Sequence, residues 1–419
     1  MLTVLTLLAL VVVATLLAHF VLSRLQARFL YSTGGEYVLL GVLVGPQLPV
    51  LVAPFLGGEV AWQGLVSPDV LHQLSPLVSL AIGWAGLVYG LQFDLRAMLN
   101  SRSGAFSLSA VQAGVTFGLV YGICRWVLAG THFLGLEASH ASQAALFLGA
   151  TAAVSSPAAW ELVHRRFPGQ GRHSALLRDG GTLDELVGIF VFGLIFCLFH
   201  PLQDAALGRV PTPTEWYVVT VLLGVVMGVV FHFFLGEEDD ENHLFLAFMG
   251  IIVFASGAAW YLHLSPLLVS LVLGIVLGNT SRHARRVLPV ILRTQQPMVL
   301  LLLIFAGALW TPVAWPAFVL ALLYVSVRSF GKLAGGWLAA LSIGPGVRRD
   351  LGRGLLGHGE VAVAMALNLR LVYDGAFVDW VFTAVLVSMV VNEFWSARLL
   401  KGFLIDAGDI QATAKTGRS

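Results

Sequence analysis

The sequence predicts an all-α polytopic membrane protein of about thirteen transmembrane helices. Three observations lead there. Charged residues make up only 11% of the 419-residue chain and hydrophobic ones 58%, whereas a soluble globular chain carries about 25% charged residues. The apolar material falls into blocks of about 17 to 25 residues, the length at which a helix rising 1.5 Å per residue crosses about 30 Å of hydrocarbon. The blocks do not alternate: the run from Val218 to Leu235 is apolar apart from Thr220, Gly224, Gly228 and His232, where a transmembrane β-strand would change character at every second residue.

The first block, Leu2 to Phe20, lacks the basic leader and small-residue cleavage site of a signal peptide and is expected to remain as the first span. Further spans start near Tyr37, Leu71, Ala105, Gln143, Leu176, Tyr217, Leu244, Ser265, Ile291, Ala317, Leu351 and Phe377. Loop charge tests this register. With the N-terminus outside, the inner side collects Arg24, Arg28, Arg96, Arg102, Arg165, Arg166, Arg172, Arg178, Arg282, Arg285, Arg286, Arg293, Arg348, Arg349, Arg353, Arg398, Lys401, Lys415 and Arg418, and the outer loops hold only Arg209. Arg125, Arg328, Lys332 and Arg370 fall within spans. The expected topology is N-out and C-in, in a bacterial inner membrane with lipid as the surrounding partner.

The inner loop Glu237, Glu238, Asp239, Asp240, Glu241 carries no basic residue; it reads as a solvated linker or as a local attractor for cations. A formal net charge of +1 gives no sign of a nucleic-acid partner. Cys124 and Cys197 lie inside apolar blocks and read as inert buried thiols.

The seventh span divides the others into two sets that would enter the membrane from opposite sides, which is the arithmetic of two inverted six-helix repeats. Matching Gly-x-x-x-Gly pairs support it, Gly41 and Gly45 in the second span against Gly274 and Gly278 in the ninth. The expected organisation is a membrane domain over 1–404, with repeat one about 1–200, a linker helix about 215–236, repeat two about 243–404, and a short cytoplasmic tail over 405–419.

Ionisable groups in hydrocarbon are costly and mark functional sites by default. Asp184 and Glu185 stand in the sixth span, about 10 Å from its inner end if the helix runs from Arg178 to Phe199. A helix starting later, after Gly180, Gly181 and Thr182, would instead make them an acidic first turn. Arg328 and Lys332 lie one turn apart in the eleventh span, about 17 and 23 Å from its outer end, against about 22 Å for the acids. Either base could meet them, or Lys332 could snorkel to the inner surface. Two spans read as interrupted: the fifth at Thr151, Ser155, Ser156 and Pro157, the twelfth at Gly352, Gly354, Gly357, His358, Gly359 and Glu360. They occupy the same place in each half. Their hydroxyls and freed carbonyls suit a dehydrated monovalent cation; a proline kink with a glycine packing face is the plainer alternative.

These segments resemble the monovalent cation/proton antiporters, in particular the branch called the second cation/proton antiporter family. The resemblance runs through Gly41–Pro46, Gly90-Leu91-Gln92-Phe93-Asp94-Leu95, Thr151–Pro157, Leu183–Ile189, Leu264–Leu267, Gly274–Asn279 and Gly359-Glu360-Val361. It implies a sodium/proton antiporter-like fold, with a core built round crossed discontinuous helices that moves against a scaffold, commonly as a homodimer. It further implies that Glu185 exchanges ion for proton and that Asp184 pairs with Arg328. Three positions depart from the pattern: Glu185 replaces the usual Asp, Gln92 a frequent Glu, and His358 a frequent Arg.

The implied function is secondary antiport of sodium or potassium for protons, with no cofactor. A carboxylate that takes either a proton or a cation couples the two fluxes. If Arg328 holds Asp184, only Glu185 exchanges and transport is electroneutral, because a guanidinium keeps its proton; if Lys332 does, a second proton could join. The alternatives are a membrane sensor or complex subunit that keeps the fold without transport, motivated by the three departures, and a sodium-coupled organic-anion symporter, disfavoured by the acidic pair. No His-Glu-x-x-His or Gly-x-Ser-x-Gly pattern lies in a span, so no enzyme is expected. The tail after Leu404 carries no Gly-x-Gly-x-x-Gly unit, so no fused nucleotide-gated regulatory domain is expected; a separate regulatory subunit stays open.

Overall fold

The computed structural model describes residues 34–56, 65–95, 104–130, 137–169, 171–201, 211–234 and 240–411. The first expected span, with Arg24, Arg28, Arg96, Arg102, Arg209, Glu237 to Asp239, Lys415 and Arg418, lies outside them. Among the described residues there is no strand, and nine helices are long and apolar enough to cross a membrane.

In chain order the helices are α1 (Gly35–Val44), α2 (Leu48–Leu56), α3 (Pro68–Gln73), α4 (Ser75–Gln92), α5 (Gly104–Gly130), α6 (Ala138–Ala153), α7 (Ala158–Arg166) and α8 (Arg172–Leu198). There follow α9 (Pro213–Phe234), α10 (Glu241–Tyr261), α11 (Pro266–Thr280), α12 (Arg282–Ala308), α13 (Trp315–Ile343), a 3₁₀ turn at Leu351–Gly354, α14 (Glu360–Val372) and α15 (Ala376–Asp406). The expected spans from Tyr37 onward coincide with these elements, with those starting at Leu71, Gln143 and Leu351 each divided between two of them. Large apolar side chains such as Trp126, Phe233, Phe254, Leu322 and Phe330 are exposed on the outer faces, as a surface solvated by lipid chains requires.

Two boundaries differ from expectation. α8 starts at Arg172, so Asp184 and Glu185 stand in its fourth turn and are not an acidic first turn. The chain beyond Leu404 is not a free tail at once: α15 runs to Asp406, and Asp409 then caps the start of α8, accepting from the backbone N–H of Ser174 at 2.7 Å.

Glycine decides the closest helix pairs. α4 packs along α11 and α1 along α12, and these are the pairs that inverted repeats exchange, since the second and third spans correspond to the ninth and tenth. A Cβ on Gly90 would lie 2.8 Å from Gly274 Cα, and one on Gly41 would lie 2.8 Å from Gly307 Cα. The two glycine motifs matched in sequence thus make equivalent contacts. Gly274→Val should push α11 off α4 at a cost of about 1–3 kcal/mol, read as a lower thermal unfolding midpoint in detergent. Gly257→Ala is the control, because a Cβ there meets no neighbouring heavy atom within 4 Å. Equal midpoints for the two variants would refute the packing role.

Candidate functional site

Both expected interruptions are present, and they lie against each other. α6 ends at Ala153, and Val154 is extended at φ −69° and ψ 140°. Pro157, which has no N–H, then precedes α7, and Ser156 Oγ accepts from the N–H of Ala158 at 3.3 Å. The second interruption runs over 355–359 until Glu360 opens α14. Ser156 N donates to Gly357 O at 3.2 Å. Gly357 and Gly359 allow this approach, because a Cβ on either would press on Ser156.

A broken helix frees carbonyls that hydrocarbon cannot satisfy. Arg328 answers them. It is fully buried, and its guanidinium donates to Leu356 O at 2.9 Å, Val154 O at 2.9 Å and Gly357 O at 2.8 Å. It therefore braces both breaks and is not the partner of Asp184, contrary to the expected pairing. The physical reason is geometric: the planar fork reaches three carbonyls of both breaks at once.

Lys332 takes the acid instead. Its Nζ donates to Ala153 O at 2.6 Å and Ser155 Oγ at 2.7 Å and lies 3.8 Å from Asp184 Oδ2. Full burial of Lys332 removes the snorkelling alternative. Asp184 Oδ2 also accepts from Ser155 Oγ at 2.6 Å and from Gln112 Nε2. The same amide donates to Ala153 O at 3.2 Å. Two donors, Lys332 and Gln112, thus sit at the negative end of α6.

Glu185 contrasts with its neighbour. It is 1% exposed, and among the described residues neither of its oxygens has a hydrogen-bond partner. The polar groups in its surroundings include the carboxylates of Asp184, Glu360 and Glu161, the Tyr89 hydroxyl and the Lys332 ammonium. The other expected ligands are near but engaged: Thr151 Oγ1 donates back to its own helix at Phe147 O and Leu148 O, both at 3.0 Å, and His358 Nε2 donates to Thr151 O at 3.2 Å. Among the described residues no group of three or more His, Cys, Asp and Glu side chains could hold a metal ion.

Gln112, Tyr89 and Glu161 were not among the residues singled out from sequence. Gln112 carried the same signal as the acids, a polar group deep in an apolar span with Thr116 one turn on. Tyr89 and Glu161 carried none, since a tyrosine and an acid near a basic loop are ordinary at membrane boundaries.

Residues 36–402 match the family described as sodium/hydrogen exchanger, transmembrane. The chain belongs to that family. It is accordingly a transport protein and not an enzyme. Among solved structures, the sodium proton antiporter MjNhaP1 from Methanocaldococcus jannaschii at pH 8 is similar at a TM-score of 0.64 and 14% identity, over 99% of each chain. An electron-microscopy structure of that antiporter is similar at a TM-score of 0.59 and 13% identity, over 96% of each chain. At such identity the likeness is one of fold. No curated protein matches the sequence.

Proposed function

We propose that the chain exchanges sodium for protons by alternating access at Glu185. The observation that carries this reading is the division of labour among the buried ionisable groups: Asp184 has Lys332, Gln112 and Ser155, Arg328 has three carbonyls, and Glu185 alone of the four has no hydrogen-bond partner among the described residues. A buried carboxylate without a donor is stable only with a proton or a cation on it. It holds one or the other, and that competition couples the fluxes when the cavity opens to one side at a time.

Sodium is preferred to potassium because of the family and of the sodium proton antiporter whose fold the chain shares. In this reading the core comprises α5 to α8 with α13 to α15, moves as an elevator against the remaining helices, and works as a homodimer with the basic loops in the cytoplasm. The test is dissipation of a pH gradient in inverted vesicles by sodium, potassium and lithium in turn. Sodium should collapse the gradient at the lowest concentration. No response to any of the three cations would favour the non-transporting sensor.

Lys332 at Asp184 also bears on stoichiometry. An ammonium can release its proton where a guanidinium cannot, so a second proton leaves from Lys332 when Glu185 takes sodium, and Asp184 is freed. Exchange then moves net charge. In proteoliposomes clamped with potassium and valinomycin, the initial rate should change with the imposed membrane potential; a rate independent of potential would mean one proton per cation.

A further inference from the structure

We propose that Glu360 is the second anionic ligand of the cation held at Glu185, and that Tyr89 positions it from the opposite unit. The proposal rests on the antiport reading of Glu185. Glu360 is the first residue of α14, immediately after the glycine-rich break, and is half-buried. Tyr89 OH, on α4, donates to Glu360 Oε1 at 2.9 Å. α14, which Glu360 opens, packs against both α4 and α8, the helices that carry Tyr89 and Glu185.

Three carboxylates are graded in depth. Glu161, near the start of α7, has a side chain 56% exposed, Glu360 is half-buried, and Glu185 is 1% exposed. Each of the first two stands in the first turn of a half-helix that begins at a break, where the helix dipole favours negative charge. Glu185 stands in the middle of α8 without that compensation, and among the described residues neither of its oxygens is hydrogen-bonded. Like charges packed together in a low dielectric need a cation or a proton between them. Glu360 is placed to share that cation, whereas Glu161 lies further out and meets Arg165 at 3.6 Å.

Tyr89 gives the arrangement its dependence on state. Its helix packs on α11, whereas Glu360 belongs to the broken helix. The hydroxyl therefore orients Glu360 only while the two units stand as they do here, so movement of the core would loosen the second ligand and favour release.

Sodium binding by the purified full-length protein tests this, read as the sodium-dependent rise in thermal unfolding midpoint in choline-balanced buffer, alongside the sodium KM in proteoliposomes. Tyr89→Phe should weaken sodium about tenfold, the effect of removing one hydrogen bond to a charged group, with the maximal rate within about twofold of wild type. Glu360→Gln should weaken it by about tenfold or more, and Glu360→Asp should restore part. If both Tyr89→Phe and Glu360→Gln bind sodium as wild type does while Glu185→Gln does not, the second ligand is disproved and the antiport reading stands. If wild type shows neither sodium-dependent stabilisation nor flux, both fall. Should Glu360→Gln fail to fold, Tyr89→Phe, which loses a single oxygen, decides.

Discussion

Arg328→Ala is expected to leave the protein unfolded or aggregated under detergent conditions in which wild type is monodisperse. The guanidinium holds three carbonyls from both breaks, and alanine would leave them without these donors at a buried position. Each lost partner costs about 1–3 kcal/mol. Removing a buried cation returns part of that, because the charge is itself costly to bury. The net loss should be about 3–5 kcal/mol, in the range seen when a buried charged group is removed from its partners, against a total stability of about 5–15 kcal/mol for a typical domain. Arg328→Lys should recover only a fraction, since a single ammonium cannot span the separation that the fork spans. An Arg328→Ala protein that melts within a few degrees of wild type would show that the breaks are held by something else.

Glu185→Gln should do the opposite: abolish exchange and keep the fold. Glutamine matches the shape of glutamate, neither oxygen of Glu185 has a hydrogen bond to lose among the described residues, and removing an unpaired buried charge favours folding. The unfolding midpoint should therefore equal or exceed that of wild type in the absence of sodium. Asp184→Asn should differ in sign, because it strips the counter-charge from Lys332, 3.8 Å away and fully buried, and so should lower the midpoint. The two adjacent carboxylates are in this way separable: one supports the structure and the other is free to react.

Much of the architecture is legible in the sequence because hydrocarbon imposes simple rules. A span must be long and apolar, a charge within it needs a reason, and a proline or glycine run in it leaves unsatisfied backbone. Those rules locate Asp184, Glu185, Arg328, Lys332 and both breaks. They do not resolve which base meets which acid. Arg328 and Lys332 are one turn apart on one helix, and both lie within a few ångströms of the depth of the acids, so depth could not separate them; the choice follows from where the freed carbonyls of Val154, Leu356 and Gly357 point. Nor could pattern reveal Tyr89, whose role depends on α4 approaching α14 across a sequence separation of 271 residues. The resemblance paired Asp184 with Arg328 by position alone, whereas in the structure it is Lys332 that lies 3.8 Å from Asp184; residues 36–402 match the sodium/hydrogen exchanger family, which agrees with the cation/proton antiporter resemblance.

The central claim is that Glu185 is the exchanging carboxylate, and the most direct measurement is sodium-induced proton efflux from acid-loaded proteoliposomes containing purified wild-type or Glu185→Gln protein at matched, monodisperse loading. Wild type should release protons in proportion to added sodium until saturation, and Glu185→Gln should stay at the level of empty liposomes. Saturable sodium-dependent efflux of undiminished rate in Glu185→Gln would contradict the account.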